Sequence, residues 1–217
     1  MKKLNTAILI SGRGSNLRAL LEASTLVDFP ARISLVISNV PGAEGLQHAE
    51  AAAIPNAVVD HTEFVDRESF EHELNVVLER ANIELICLAG FMRLLTNTFV
   101  SKWFNKLINI HPSLLPSYKG LHTHKRVLAD GVRLTGCTVH FVRGDLDFGP
   151  IIVQAAVPVR LDDDVETLST RVLVAEHLCY PYALGLVASG KATVVNEKVK
   201  INGTSEPNDM LINPAIN

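Results

Sequence analysis

Short apolar runs alternate along this chain with longer stretches whose apolar positions recur at helical spacing, the pattern of a mostly parallel sheet flanked by helices. Thr6–Ile10, Ile33–Ser38, Ala57–Val59, Leu85–Ala89 and Leu107–Ile110 read as the strands of the first half. Between them the spacing predicts helices over Asn16–Glu22, Glu44–Ala53 and Arg67–Ala81, the last with Asp66 as its N-cap. Beyond His124 the pattern changes. Gly136–Val142 and Ile151–Val159 read as two strands joined by a Gly/Asp/Pro loop, so they are expected to pair antiparallel. A long amphipathic helix, about Val165–Ser189, follows and should bend at Pro181. The expectation is an α/β protein with a mostly parallel twisted sheet, Rossmann-like in its N-terminal half, with an antiparallel strand pair in its C-terminal half. We read residues 1–201 as one domain and 202–217, rich in Asn, Pro and Gly, as a frayed tail. There is no internal repeat.

Composition narrows the class. A chain of 217 residues that is 47% hydrophobic buries a sizeable core in a single domain. No apolar run is long enough to span a membrane, and Ala7–Ile10 is too short for a signal-peptide core, so a cytoplasmic protein is expected. A net charge of -3 without a basic tract argues against a nucleic-acid partner. Cys87, Cys137 and Cys179 are odd in number and lack metal-type spacing, which favours buried, reduced thiols over a catalytic one.

The chemistry-bearing residues fall into two stretches, Leu107–Gly120 and His140–Pro150. Strand side chains alternate faces, so Asn109 and His111 point the same way from a strand's carboxyl end, where α/β proteins bind ligands. An amide donor beside an imidazole suits polarising a carbonyl and moving a proton, and Asp147 would hold that imidazole in its charged form. Read singly, the three also fit a turn cap, a strand end and a turn start. Ser11–Asn16 joins the first strand to the first helix. Free N–H groups at a helix start, with Gly12 and Gly14 permitting close approach, suit a single phosphate held by Gly14, Ser15 and Asn16. A dinucleotide fingerprint fails, since Leu17 stands at the third glycine position and Ser38-Asn39 lacks the acidic residue at the next strand's end. A Walker loop fails for want of Gly-Lys-Ser/Thr. An ordinary tight turn capped by Asn16 stays open. His111, His122, His124 and His140 invite a zinc reading, but no Cys or carboxylate has ligand spacing with them, so no metal is expected.

Together SGRGSNL (Ser11–Leu17), LAGFMRLL (Leu88–Leu95), NIHPSLLPSYKG (Asn109–Gly120) and DLDFGP (Asp145–Pro150) resemble the phosphoribosylglycinamide formyltransferases, in order and from about Thr6 to about Ser189. HPSLLP is shared with other formyltetrahydrofolate enzymes, whereas the SGxGSNL loop is more particular. The resemblance implies a formyltransferase fold and transfer of the formyl group of 10-formyltetrahydrofolate to the amine of glycinamide ribonucleotide in purine biosynthesis. It implies Asn109, His111 and Asp147 as catalytic residues, and Gly14, Ser15 and Asn16 on the substrate phosphate. It implies Glu176 at the ribose, Met92, Arg93, Leu94, Leu95 and Asn109 on the folate, and Arg67 near the folate's acidic tail. It further implies a flexible loop over the site, roughly Ser113–Leu134, and a folate loop around Gly144–Gly149. Many relatives carry an acid where Gly144 stands, so one loop contact is expected to be absent. Partners are then small molecules, with the protein a monomer or homodimer. A formyltetrahydrofolate deformylase would use the same three residues but carries an added N-terminal domain, and a methionyl-tRNA formyltransferase an added C-terminal one. A non-catalytic nucleotide-binding module would explain SGRGSN and leave Asn109, His111 and Asp147 without a purpose.

Overall fold

The computed structural model describes residues 2–203 and Asn213. In chain order it has β1 (Leu4–Ile10), α1 (Ser15–Ser24), β2 (Ala31–Ser38), α2 (Gly45–Ala51), β3 (Asn56–Val58), α3 (Arg67–Arg80), β4 (Leu85–Leu88), α4 (Asn97–Lys102), β5 (Leu107–His111), α5 (Thr123–Ala129), β6 (Leu134–Phe141), β7 (Ile151–Pro158), α6 (Val165–Ala188), β8 (Ala192–Val195) and β9 (Lys198–Ile201). Strands one to seven form one sheet in the order β3-β2-β1-β4-β5-β6-β7. The pairs from β3 through β5 are parallel, and β5/β6 and β6/β7 are antiparallel. This is the fold class read from the sequence, with β6 and β7 as the antiparallel pair. Strand β1 extends further than its apolar run, beginning at Leu4.

The apolar runs are nearly continuous because both faces of the sheet are covered. Alternate residues enter opposite clusters: Ile8 and Ile10 of β1 pack with Leu17, Leu20 and Tyr180 on one side, and Ala7 and Leu9 pack with Phe70, Leu74 and Phe99 on the other. Asp66 and Asp164 start α3 and α6 with reciprocal caps to Ser69 and Thr167. Helix α6 runs through Pro181 unbroken. Immediately before its proline it carries the wholly buried Tyr180, whose hydroxyl shares its proton between the carbonyls of Leu88 (2.8 Å) and Ile108 (3.2 Å), in β4 and β5.

Three elements go beyond the sequence reading. Helix α4 is six residues long and starts on a Thr96 cap, too short for a period to register. Helix α5 lies inside the Gly- and Pro-rich stretch expected to be loop, and buries only Thr123 and Val127. The β8/β9 hairpin turns through Asn196 and Glu197, both at positive φ (49° and 57°), where Asn-Gly would have announced a two-residue turn and Asn-Glu does not. All three cysteines are free and buried, and burial pushes the Cys87 thiol up. Most of the tail expected over 202–217 lies outside the described residues. No helix among the described residues is long and apolar enough to cross a membrane.

Tyr180→Phe leaves two buried carbonyls without their donor, so it should lower the unfolding free energy by about 1–3 kcal/mol in urea titration, with the same secondary structure by circular dichroism.

Candidate active site

The sheet's topology reverses between β1 and β4. From β1 the chain leads by α1 to β2 on one side, and from β4 by α4 to β5 on the other, so the strand ends part and leave a crevice. The first wall is the start of α1. Gly14, at φ 75°, is its N-cap and supplies no side-chain cap, and a Cβ there would come within 2.7 Å of the Gly45 Cα. The amides of Ser15, Asn16 and Leu17 find no protein partner among the described residues, while Arg18 N–H closes onto Gly14 O at 2.9 Å. Asn16 is therefore not the cap of an ordinary turn. Its Nδ2 donates to Glu176 Oε2 at 2.7 Å, and its buried Oδ1 is unpartnered. Glu176 is buried too, and desolvation raises its pKa although the Asn16 bond opposes this. The sequence-predicted phosphate and ribose residues thus meet in one place, a concave helix start that suits an anion.

The opposite wall is the end of β5. Leu107 packs into the cluster of Leu9 and Phe99, so Asn109 and His111 project to that same side. Asp147 arrives from the loop between β6 and β7, held at φ 44°, and its Oδ2 lies 3.4 Å from His111 Nδ1. The same oxygen accepts from the Gly120 amide at 2.7 Å, which ties this loop to the one over the site. His111 Nε2 lies 2.9 Å from the Tyr118 carbonyl. Each ring nitrogen thus faces an oxygen, the Asp147 carboxylate on one side and the Tyr118 carbonyl on the other. The Tyr118 segment is itself fastened to β6, since Thr138 Oγ1 donates to Ser113 O at 2.7 Å and accepts from the Leu115 amide at 3.0 Å. Asn109 is aimed by a residue that the sequence reading had weighed only as a metal ligand. His140 Nδ1 donates to the Phe141 carbonyl at 2.9 Å, which leaves Nε2 to accept from Asn109 Nδ2 at 3.4 Å. Burial lowers the pKa of His140 and keeps this acceptor neutral, while burial and the nearby His111 lower that of His124.

Between these walls runs Phe91–Leu95. Met92 and Leu94 are 67% and 59% exposed, so they are not core. Among the described residues, the Met92 amide is the one main-chain group of this strip with a protein partner. Exposed apolar side chains beside unpaired amides and carbonyls suit a flat heterocycle that supplies the missing hydrogen bonds. The strip leads into a cavity of about 690 Å³ lined by Arg67, Arg93, Leu95, Asn97 and Gly144. Arg93 Nε is buried there without a partner. A Cβ on Gly144 would meet the Asn97 carboxamide at 2.2 Å, so Asn97 fills the place a side chain at 144 would take. No group of three or more His, Cys, Asp or Glu among the described residues could hold a metal ion.

Residues 4–184 match the formyl transferase family. The chain belongs to that family. This formyltransferase is 38% identical over 204 residues to the phosphoribosylglycinamide formyltransferase of Escherichia coli (strain K12), covering 94% of this chain and 96% of that protein. The crystal structure of phosphoribosylglycinamide formyltransferase from Anaplasma phagocytophilum matches with a TM-score of 0.87 and 44% identity, over 94% of this chain and 97% of that one. The trifunctional purine biosynthetic protein adenosine-3 of Gallus gallus is 55% identical over 92% of this chain, which spans 20% of that longer protein.

Of the residues read from the sequence, Asn16 meets Glu176, His111 meets Asp147, and Arg67, Arg93 and Leu95 line one cavity. Sequence reasoning missed the roles of Tyr118 as acceptor for His111 and of His140 as the support of Asn109. His140 sits opposite Asn109 in the β5/β6 register, a pairing that only the antiparallel ladder reveals.

Because the folded pKa of His140 lies below its ordinary value, the unfolded chain takes up this proton first as pH falls. Stability should therefore decline as pH drops below about 6.5. His140→Gln should make that decline shallower, read as unfolding free energy against pH from 7 to 5 in both proteins; parallel curves would exclude His140 as a contributor.

Proposed function

We propose that this formyltransferase moves the formyl group of 10-formyltetrahydrofolate to the amine of 5'-phosphoribosylglycinamide, giving formylglycinamide ribonucleotide and tetrahydrofolate in purine biosynthesis. The observation that supports the reading is the pairing of His111 with Asp147 beside Asn109 at the end of β5, across a strip of unpaired main chain from an uncapped helix start. The free amides at Ser15–Leu17 suit the ribonucleotide phosphate, with Gly14, Ser15 and Asn16 around it and Glu176 at the ribose. The strip Met92–Leu95 suits the pterin ring, and Arg67 with Arg93 the acidic tail of the folate.

The amine nitrogen attacks the formyl carbon, the carbon–N10 bond breaks, and an amine proton ends on N10. Negative charge gathers on the formyl oxygen in the tetrahedral intermediate. Asn109 keeps one amide hydrogen free for it while the other rests on His140. His111 offers Nε2–H as a second hydrogen-bond donor, turning it from the Tyr118 carbonyl to the formyl oxygen while the proton stays on the ring. Such donors are worth on the order of 3 kcal/mol each in the transition state. Asp147 stabilises the cationic ring that donates. The loop bearing Tyr118 and Gly120 limits water, which competes with the amine for the formyl group.

Purified protein given 10-formyltetrahydrofolate should release tetrahydrofolate only when the ribonucleotide amine is present. Turnover without amine would identify a deformylase instead. His111→Ala should lower kcat by about a hundredfold to a thousandfold, and Asp147→Asn by about a hundredfold, with the KM for either substrate moving less than about threefold. A normal kcat in both variants would remove this pair from the reaction.

A further inference from the structure

The phosphate motif opens with Ser11, a residue that the reading above leaves without a task. It stands at the end of β1, and Met92 stands beyond the end of β4, on opposite sides of the point where the sheet's topology reverses. The last main-chain bond between these strands runs from Ala89 N–H to Leu9 O at 2.9 Å. Past it the two chains are joined by the Ser11 hydroxyl. Met92 N–H donates to Ser11 Oγ at 2.7 Å, and Ser11 Oγ–H donates to Asn39 Oδ1 at 2.5 Å. Asn39 is buried just past the end of β2, and His61 Nδ1 lies 2.8 Å from its main-chain carbonyl and 3.1 Å from its Nδ2. With its own proton committed to Asn39, Ser11 has one role left toward Met92, that of acceptor. This bond is the single protein anchor of the Phe91–Leu95 main chain among the described residues.

We propose that Ser11 is a positioning residue for the folate strip and transmits occupancy of the phosphate loop to it. The inference rests on the two-ligand reading given above. A phosphate on the free amides of α1 fixes the loop from Gly12 to Asn16 and with it the adjoining Ser11. That holds Met92 and presents the remaining strip groups in one register. Order imposed once at the loop no longer has to be imposed when the second ligand arrives, so the two ligands favour each other's binding.

Calorimetry with phosphoribosylglycinamide and tetrahydrofolate tests this without chemistry. In the unaltered protein, saturating ribonucleotide should tighten tetrahydrofolate binding about fivefold or more. Ser11→Ala should weaken tetrahydrofolate by about tenfold, the value of one hydrogen bond, change the ribonucleotide Kd by less than about threefold, and bring the coupling close to one. Ser11→Thr, which keeps the hydroxyl, should restore both. Ser11→Cys serves as a second variant of similar size with a weak acceptor, should the alanine form melt early. Normal tetrahydrofolate affinity in Ser11→Ala, equal weakening of both ligands, or no coupling in the unaltered protein overturns the inference. Failure of the unaltered protein to bind either ligand would instead overturn the two-ligand reading itself.

Discussion

Everything at this site depends on one constraint: a parallel sheet buried on both faces satisfies its polar main chain internally, except where neighbouring strand ends part. Between β1 and β4 the chain leaves in opposite directions, so the ladder stops and main-chain donors and acceptors are left facing the same crevice. The unpaired amides at the start of α1 and the unpaired strip after β4 are two consequences of this single break. One offers concentrated positive potential, which a phosphate matches. The other offers alternating donors and acceptors between exposed apolar side chains, which a heterocycle matches. Asn109 and His111 stand beside the strip because β5 is the strand next to β4.

Helix α6 locks this geometry from outside the sheet. Glu176 and Tyr180 are one turn apart and so share a face. The first grips Asn16 at the start of α1, and the second grips β4 and β5. A shift of α6 along its axis would thus displace both ligand walls together. The helix can bear this role because its other buried residues, from Leu168 to Leu184, anchor it in the larger apolar cluster. Tertiary packing, not helical propensity, also carries it past Pro181, where the missing N–H removes one intrahelical bond.

The legible parts of the fold were those with a long period or a strong cap. Strands β1, β2, β4 and β5 announced themselves as apolar runs, and α3 through Asp66, because burial on both faces and capping leave direct marks in sequence. Helix α5 did not, since two buried residues at i and i+4 are too few to show a period among glycines, prolines and histidines. At the site, Asn109 and His111 were legible from strand alternation, whereas the contact of Asp147 with His111 is 36 positions away in sequence and is created by the β6/β7 loop folding back. Ser11, Tyr118 and His140 were opaque for a related reason. Ser11 and His140 act through a hydroxyl or ring nitrogen whose partner lies on a neighbouring strand or beyond its end, and Tyr118 acts through a backbone carbonyl that carries no side-chain signature.

The polar atoms that the fold leaves unpaired bear on how such a site is stabilised. Buried side-chain atoms without a partner are few in folded proteins because each costs on the order of 1–3 kcal/mol. Here the Oδ1 of Asn16, the Nε of Arg93 and the Nδ1 of His124 are such atoms. Asn16 belongs to the start of α1, Arg93 to the strip, and His124 lies close enough to His111 for that ring to lower the His124 pKa. Folding therefore bears a desolvation cost at three points around the crevice, and a ligand that supplies the missing partners recovers it on binding. The affinity of the site is in this sense prepared during folding: the groups have already lost their water, and the structure of Asn39, Glu176 and Tyr180 around them keeps the crevice from collapsing to satisfy them internally.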